Sequence, residues 1–141
     1  MTTTERRLGR LAAGFNSRAR RYHSLGVVDW QTLVLIHARA GGNCQYCGTH
    51  MELDHGTWDH SVPLSEGGRN DITNIARCCT SCQRRKFTKT PAEFDAHRAL
   101  TVICPIDGVE FKPRWAEWVA GRARYCSHRC AGAAAYKKET E

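Results

Sequence analysis

Long apolar runs are missing from this sequence. No stretch of its 141 residues approaches the roughly 20 apolar residues of a membrane-spanning helix, so a soluble chain with no membrane partner is expected. Also missing from the opening MTTTERRLGRLAAGF is an apolar segment followed by a cleavage site, which argues against an oxidising compartment. The expectation is a reducing cytoplasm. Leu, Ile, Val and Phe are sparse. One large core is therefore not expected, and a set of small subdomains would need staples of metal or disulfide. Low-complexity sequence is confined to the short Ala-rich patch at 131–135.

What the chain does have is cysteine and positive charge. Its eight cysteines are Cys44, Cys47, Cys78, Cys79, Cys82, Cys104, Cys126 and Cys130. Most fall in close C-x2-C or C-x3-C pairs, a spacing that suits metal better than disulfide geometry. The formal net charge is +7. A basic surface on so small a chain favours a polyanionic partner, of which nucleic acid is the commonest.

Periodicity places a helix over 5–22. Leu8, Leu11, Ala12, Phe15, Ala19 and Tyr22 form one stripe, and Arg6, Arg7, Arg10, Arg18, Arg20 and Arg21 lie outside it. That basic helix suits a DNA-backbone arm; a plain packed helix or a membrane-surface helix are the alternatives. A second helix is expected over 29–40, with Asp29 as N-cap and Gly41-Gly42 as its stop. His37 on its apolar face reads as a packed histidine. Extended segments follow at 52–62 and 72–77, joined by turn chemistry at 66–71, and a basic helix is expected over 80–89. Thr90-Pro91-Ala92-Glu93 has the signature of another helix start.

Cys44-x2-Cys47 and Cys79-x2-Cys82, separated by 31 residues, can supply four thiolates to a closed structural Zn²⁺ site. Such a site has no open coordination position, so it clamps the segment between the pairs and leaves chemistry to that segment or the helix leaving it. Cys78 is left over as a buried or free thiol.

Inside the clamp lie Asp59-His60-Ser61-Val62-Pro63-Leu64-Ser65-Glu66-Gly67-Gly68, then Asn70, Asn74 and Cys79-x2-Cys82-Gln83-x2-Lys86. Over residues 43–95 this order resembles the HNH endonucleases, the ββα-metal nucleases, and among them the phage-borne members. The resemblance implies an α+β fold: a small zinc-stabilised, treble-clef-like ββα-metal core behind N-terminal helices. It implies His60 as general base, Asp59 as carboxylate ligand of a catalytic Mg²⁺ or Mn²⁺, and Asn74 as the residue that braces the loop and orients His60. Gln83 stands where the family puts a second metal ligand, usually Asn or His. This chemistry needs a base that titrates near neutrality and one hard cation with few protein ligands. The upstream Asp54-His55 pair lacks the Pro-Leu-Ser-x-Gly-Gly block at the family's distance. Arg18, Arg20, Arg21, Arg84, Arg85 and Lys86 are candidate nucleic-acid contacts, with Arg69, Arg77 and Lys89 beside them.

Residues 101–141 repeat the theme. Cys104-x2-Asp107-Gly108 mirrors Cys44-x2-Cys47-Gly48, and Cys126-x3-Cys130 leads into the Ala-rich tail. This resembles a small treble-clef zinc finger, with Asp107 in place of a cysteine and His128 as rival fourth ligand of a second Zn²⁺. Lys112, Arg114, Arg122, Arg124, Arg129, Lys137 and Lys138 make it basic. The expected organisation is a helical arm at 1–42, a nuclease core at 43–100 and a finger-like unit at 101–141. The expected function is Mg²⁺-dependent cleavage of double-stranded DNA, acting alone, as a homodimer or with a phage or host protein. The setting implied is a bacterial host cell, with a phage or mobile element as source. The alternative is a catalytically weak or inactive zinc protein that binds DNA or RNA.

Overall fold

The computed structural model describes residues 1–140, with side chains through Tyr136, so the side chains of Lys137 and Lys138 lie outside the described residues. Two compact units are formed, Met1–Phe94 and Asp95–Glu141. Among the described residues no helix is long and apolar enough to cross a membrane.

The first unit begins with α1, Thr3–Arg21. Thr2 and Glu5 close a reciprocal capping box that satisfies two of the free amides at the helix start. Leu8, Ala12, Phe15 and Ala19 are buried on one face, while Arg18, Arg20 and Arg21 stay exposed in the last turn. Tyr22, expected on the apolar stripe, is the C-cap and is exposed. Helix α2, Trp30–Arg39, starts at Asp29, whose carboxylate accepts from the Thr32 amide and hydroxyl, each at 2.7 Å.

Two short antiparallel strands follow: β1, Thr57–His60, and β2, Ile75–Cys78, in the register Thr57↔Cys78 to His60↔Ile75. The expected strand over 52–62 is shortened for a physical reason. Arg77 is fully buried, and its guanidinium donates to the carbonyls of Thr57 at 3.0 Å, Glu52 at 2.8 Å and His55. Those bonds hold 52–56 in turns instead of a ladder. Arg77 also stacks over Trp58 at 4.2 Å and donates to His37 Nδ1 at 3.1 Å. It is thus a core tether, not a phosphate contact, and His37 is a packed acceptor.

Helix α3, Thr80–Lys86, ends before the expected 89, because Phe87 takes φ 49°, ψ −118° and turns the chain out. Helix α4, Pro91–Ala99, starts on the Thr90–Glu93 capping box, and its Phe94 is buried edge-on to Tyr46. Two small cores result. One joins Leu8, Phe15, Val28, Leu33, Ile36, Trp58 and Ile75; the other gathers Met51 and Phe94 around Cys44, Cys78 and Cys82. In the second unit, β3, Val102–Ile103, pairs antiparallel with β4, Glu110–Phe111, and two helices follow: α5, Trp115–Val119, and α6, His128–Thr140.

Candidate active site and metal centres

The thiolate clamp forms as the spacing demands. The sulfurs of Cys44, Cys47, Cys79 and Cys82 all lie within 4.8 Å of one another. A tetrahedral zinc with bonds of about 2.3 Å has sulfur–sulfur edges of about 3.8 Å, and Cys47 to Cys79 is 3.8 Å. The Cys47 thiol is lowered to about 6, first by the Thr49 hydroxyl, which favours the metal-binding thiolate. Cys78 is not in this set, is fully buried, and is held well above the ordinary thiol range by burial.

The second unit repeats the knuckle sixty residues later. In the first, Cys44 N–H donates to Thr49 O at 2.8 Å and Gly48 N–H to Cys44 O at 2.8 Å. In the second, Cys104 N–H donates to Val109 O and Gly108 N–H to Cys104 O, both at 2.9 Å. Gly48 and Gly108 take φ of 79° and 73°, the left-handed turn that glycine accepts without steric cost. Cys104, Asp107, Cys126 and Cys130 converge within 4.8 Å, with Asp107 Oδ2 at 3.2 Å from the Cys126 sulfur and 3.1 Å from that of Cys130. His128 is not in this group. Both clusters could hold zinc.

Between the strands, residues 61–74 form the loop that follows the Asp59-His60 pair. Asn74 braces it from within: its side chain accepts from Val62 N–H at 2.8 Å and donates to the carbonyls of Val62 and Arg69 at 2.9 Å each. A β-carbon on Gly68 would lie 1.9 Å from Val62 O, so the second glycine of the pair is obligatory for this closure.

His60 and Asp59 leave β1 at the mouth of a cleft of about 410 Å³ that Gln83, Arg18 and Arg84 also line, with the exposed rings of Tyr22 and Phe87. His60 is 8 % exposed and packs against Phe15 at 4.9 Å between ring centres. Burial lowers its pKa below the ordinary histidine value, so the neutral ring is favoured near neutral pH. Asp59 Oδ2 receives the Lys86 ammonium at 2.9 Å and the Tyr46 hydroxyl at 3.0 Å. Oδ1 has no protein partner among the described residues and remains available to a ligand.

Two expected roles are corrected by this geometry. The Asn74 side chain bonds Val62 and Arg69, and it is Asn70 that bonds the His60 ring, its Oδ1 lying 2.9 Å from His60 Nε2. Lys86, expected at a phosphate, is 0 % exposed and donates to His60 O at 2.9 Å as well as to Asp59. It holds both members of the Asp-His pair in place. Arg20, Arg21, Arg84 and Arg85 are exposed. Asp54 accepts from Thr4, and exposed His55 belongs to the turn before β1, so neither lines the cleft.

Residues 44–99 match the family model for HNH endonuclease. This segment belongs to the HNH endonuclease family. No curated protein matches the chain. The HNH segment is a nuclease-family domain whose substrate class is nucleic acid, and it contains the clamp, the Asp59-His60 pair, the braced loop and α3. Residues that sequence reasoning missed are Tyr46, Asn70 and Asn16 of α1. A signal was present for Lys86: it follows Cys82 by four residues and so shares the buried face of α3.

Proposed function

We propose that the protein is a metal-dependent endonuclease that hydrolyses phosphodiester bonds of double-stranded DNA, with His60 as general base. The observation that carries this reading is the meeting of Asp59, His60 and Gln83 in one cleft lined also by Arg18 and Arg84. The donor set fits a hard cation: Asp59 offers a carboxylate oxygen without a protein partner among the described residues, and Gln83 offers an amide oxygen. Mg²⁺ or Mn²⁺ held there would stabilise charge on the phosphate and leaving oxygen. The two thiolate-rich clusters take zinc as structural staples, since four protein ligands leave no open position.

The protein's own residues do the rest. Neutral His60 takes a proton from the attacking water. Lys86 and Tyr46 hold Asp59, and Asn74 keeps the loop closed. Arg18 and Arg84, with Arg20, Arg21 and Arg85 further out, bind the phosphate backbone and fix its register. One site per chain cuts one strand at a time, so a double-strand break needs two copies or two successive nicks. The phage or mobile-element setting rests on the resemblance alone.

The test is nicking of supercoiled plasmid with Mg²⁺ or Mn²⁺. His60→Ala should lower the rate by about 10²- to 10⁴-fold. Gln83→Asn should leave or raise activity, because a shorter amide is the better-fixed ligand. Plasmid that is shifted but never cut, with no change in His60→Ala, would replace the enzyme by a binding protein.

A further inference from the structure

The His60 ring has one partner outside the HNH segment and one inside it that is anchored from outside. Phe15 packs on its ring, and Asn70 binds its Nε2. Asn70 is fully buried, and its Nδ2 donates to Asn16 Oδ1 at 2.8 Å. Asn16 is in turn clamped by backbone: Val28 N–H donates to Oδ1 at 3.0 Å, and Nδ2 donates to Val28 O at 2.8 Å.

A backbone N–H can only donate and a carbonyl can only accept, so Val28 fixes which way the Asn16 amide points. Asn16 Oδ1 then requires the Asn70 Nδ2 beside it, and this turns Asn70 Oδ1 toward His60. A carbonyl oxygen at 2.9 Å demands a proton on Nε2. We infer that Asn16 and Asn70 are positioning residues, a relay from α1 that holds neutral His60 with its proton on Nε2 and its lone pair on Nδ1. The loop is tied to the same segment by Ser24 Oγ to Gly68 O at 2.6 Å and Asn70 N–H to Leu25 O at 2.7 Å. The N-terminal helix is therefore part of the active site as well as a basic arm. The relay deepens the proposed function, because its catalytic meaning rests on His60 being the base.

The test joins a tautomer measurement to kinetics. Long-range ¹H–¹⁵N spectra of the full, zinc-loaded chain, labelled at histidine and recorded at about pH 8, above the ordinary histidine range, report which ring nitrogen of His60 carries the proton. The expected wild-type result is Nε2–H. Asn16→Leu leaves the Asn70 amide with only its longer bond to Gly26 O, at 3.4 Å, to orient it, and Asn70→Leu removes the acceptor. Each should mix or invert the tautomer and lower kcat by about 10- to 100-fold with KM unchanged, by analogy with the effect of partners that orient metal-ligating histidines. Asn16→Asp keeps both bonds accepted at Oδ1 but sets an oxygen against Val28 O in place of the Nδ2 donor, so it should lower the melting temperature while the folded protein retains the wild-type tautomer and most of kcat.

Asn70 is buried, so if Asn70→Leu does not fold, the two Asn16 variants carry the comparison, with folding checked by circular dichroism. A wild-type spectrum with Nδ1–H overturns the relay. Equal activity in Asn16→Leu and Asn16→Asp overturns it too, since that reduces Asn16 to packing. Nicking that survives His60→Ala, with the wild-type spectrum as expected, instead removes the functional reading and the catalytic meaning of the relay with it. The spectrum separates the two failures.

Discussion

Lys86 shows how far one side chain can depart from its sequence neighbourhood. It ends a run of three basic residues, Arg84, Arg85 and Lys86, and on charge alone all three are phosphate contacts. Only the two arginines are exposed; the lysine is buried between the Asp59 carboxylate and the His60 carbonyl. Removing one partner of a fully buried pair costs about 3–5 kcal/mol, but the Asp59 carboxylate opens to the cleft, where water can reach it. Lys86→Met should therefore lower unfolding free energy in urea by less than that and weaken nicking, whereas Arg85→Met should leave stability near wild type. The Asp59-His60 pair was legible because motif order fixes it. The partner of His60 was not. Asn70 and Asn74 are both asparagines in one loop, and a sequence gives residue types without saying which amide faces inward.

At the scale of elements, helix starts were written plainly. Asp29 and Thr90 carry their caps within three residues, so local chemistry alone sets those boundaries. Strand lengths were not written, because they depend on Arg77 reaching across to carbonyls 20 or more residues earlier. The end of α3 depends on a strained turn. Phe87 has φ 49° and ψ −118°, a region that side-chain-bearing residues occupy at a cost of about 1–3 kcal/mol, and its ring is 74 % exposed and so returns little by burial. Phe87→Gly should raise the melting temperature. A lowered melting temperature would mean that the ring packs against something that repays the strain.

For the molecule as a whole, the scarcity of large aliphatic side chains and the abundance of cysteine have one explanation. Each unit contains a cluster that could hold zinc, and the core beside the first of them is small. Metal analysis of protein purified without chelator should give two zinc per chain, and Asp107→Ala should lower this toward one while the first unit keeps its melting transition. Stripping both metals with a strong chelator should unfold the first unit and abolish nicking even when Mg²⁺ is supplied, since zinc binding and folding are one equilibrium. A single zinc in wild-type protein would confine the metal to the four-cysteine cluster. The paired knuckles were visible as a repeat of spacing; the shared unit of arm and core was not, because no local pattern links Asn16 to a loop fifty-four residues later.

That link bears on how the activity could be moved between proteins. A transplant cut at the edges of the family match, residues 44–99, leaves behind Phe15, Asn16 and the Ser24–Leu25 tether. Such a graft carries every motif residue and none of the helix that, on the proposed relay, aims the base. The compact unit that keeps helix and loop together is Met1–Phe94.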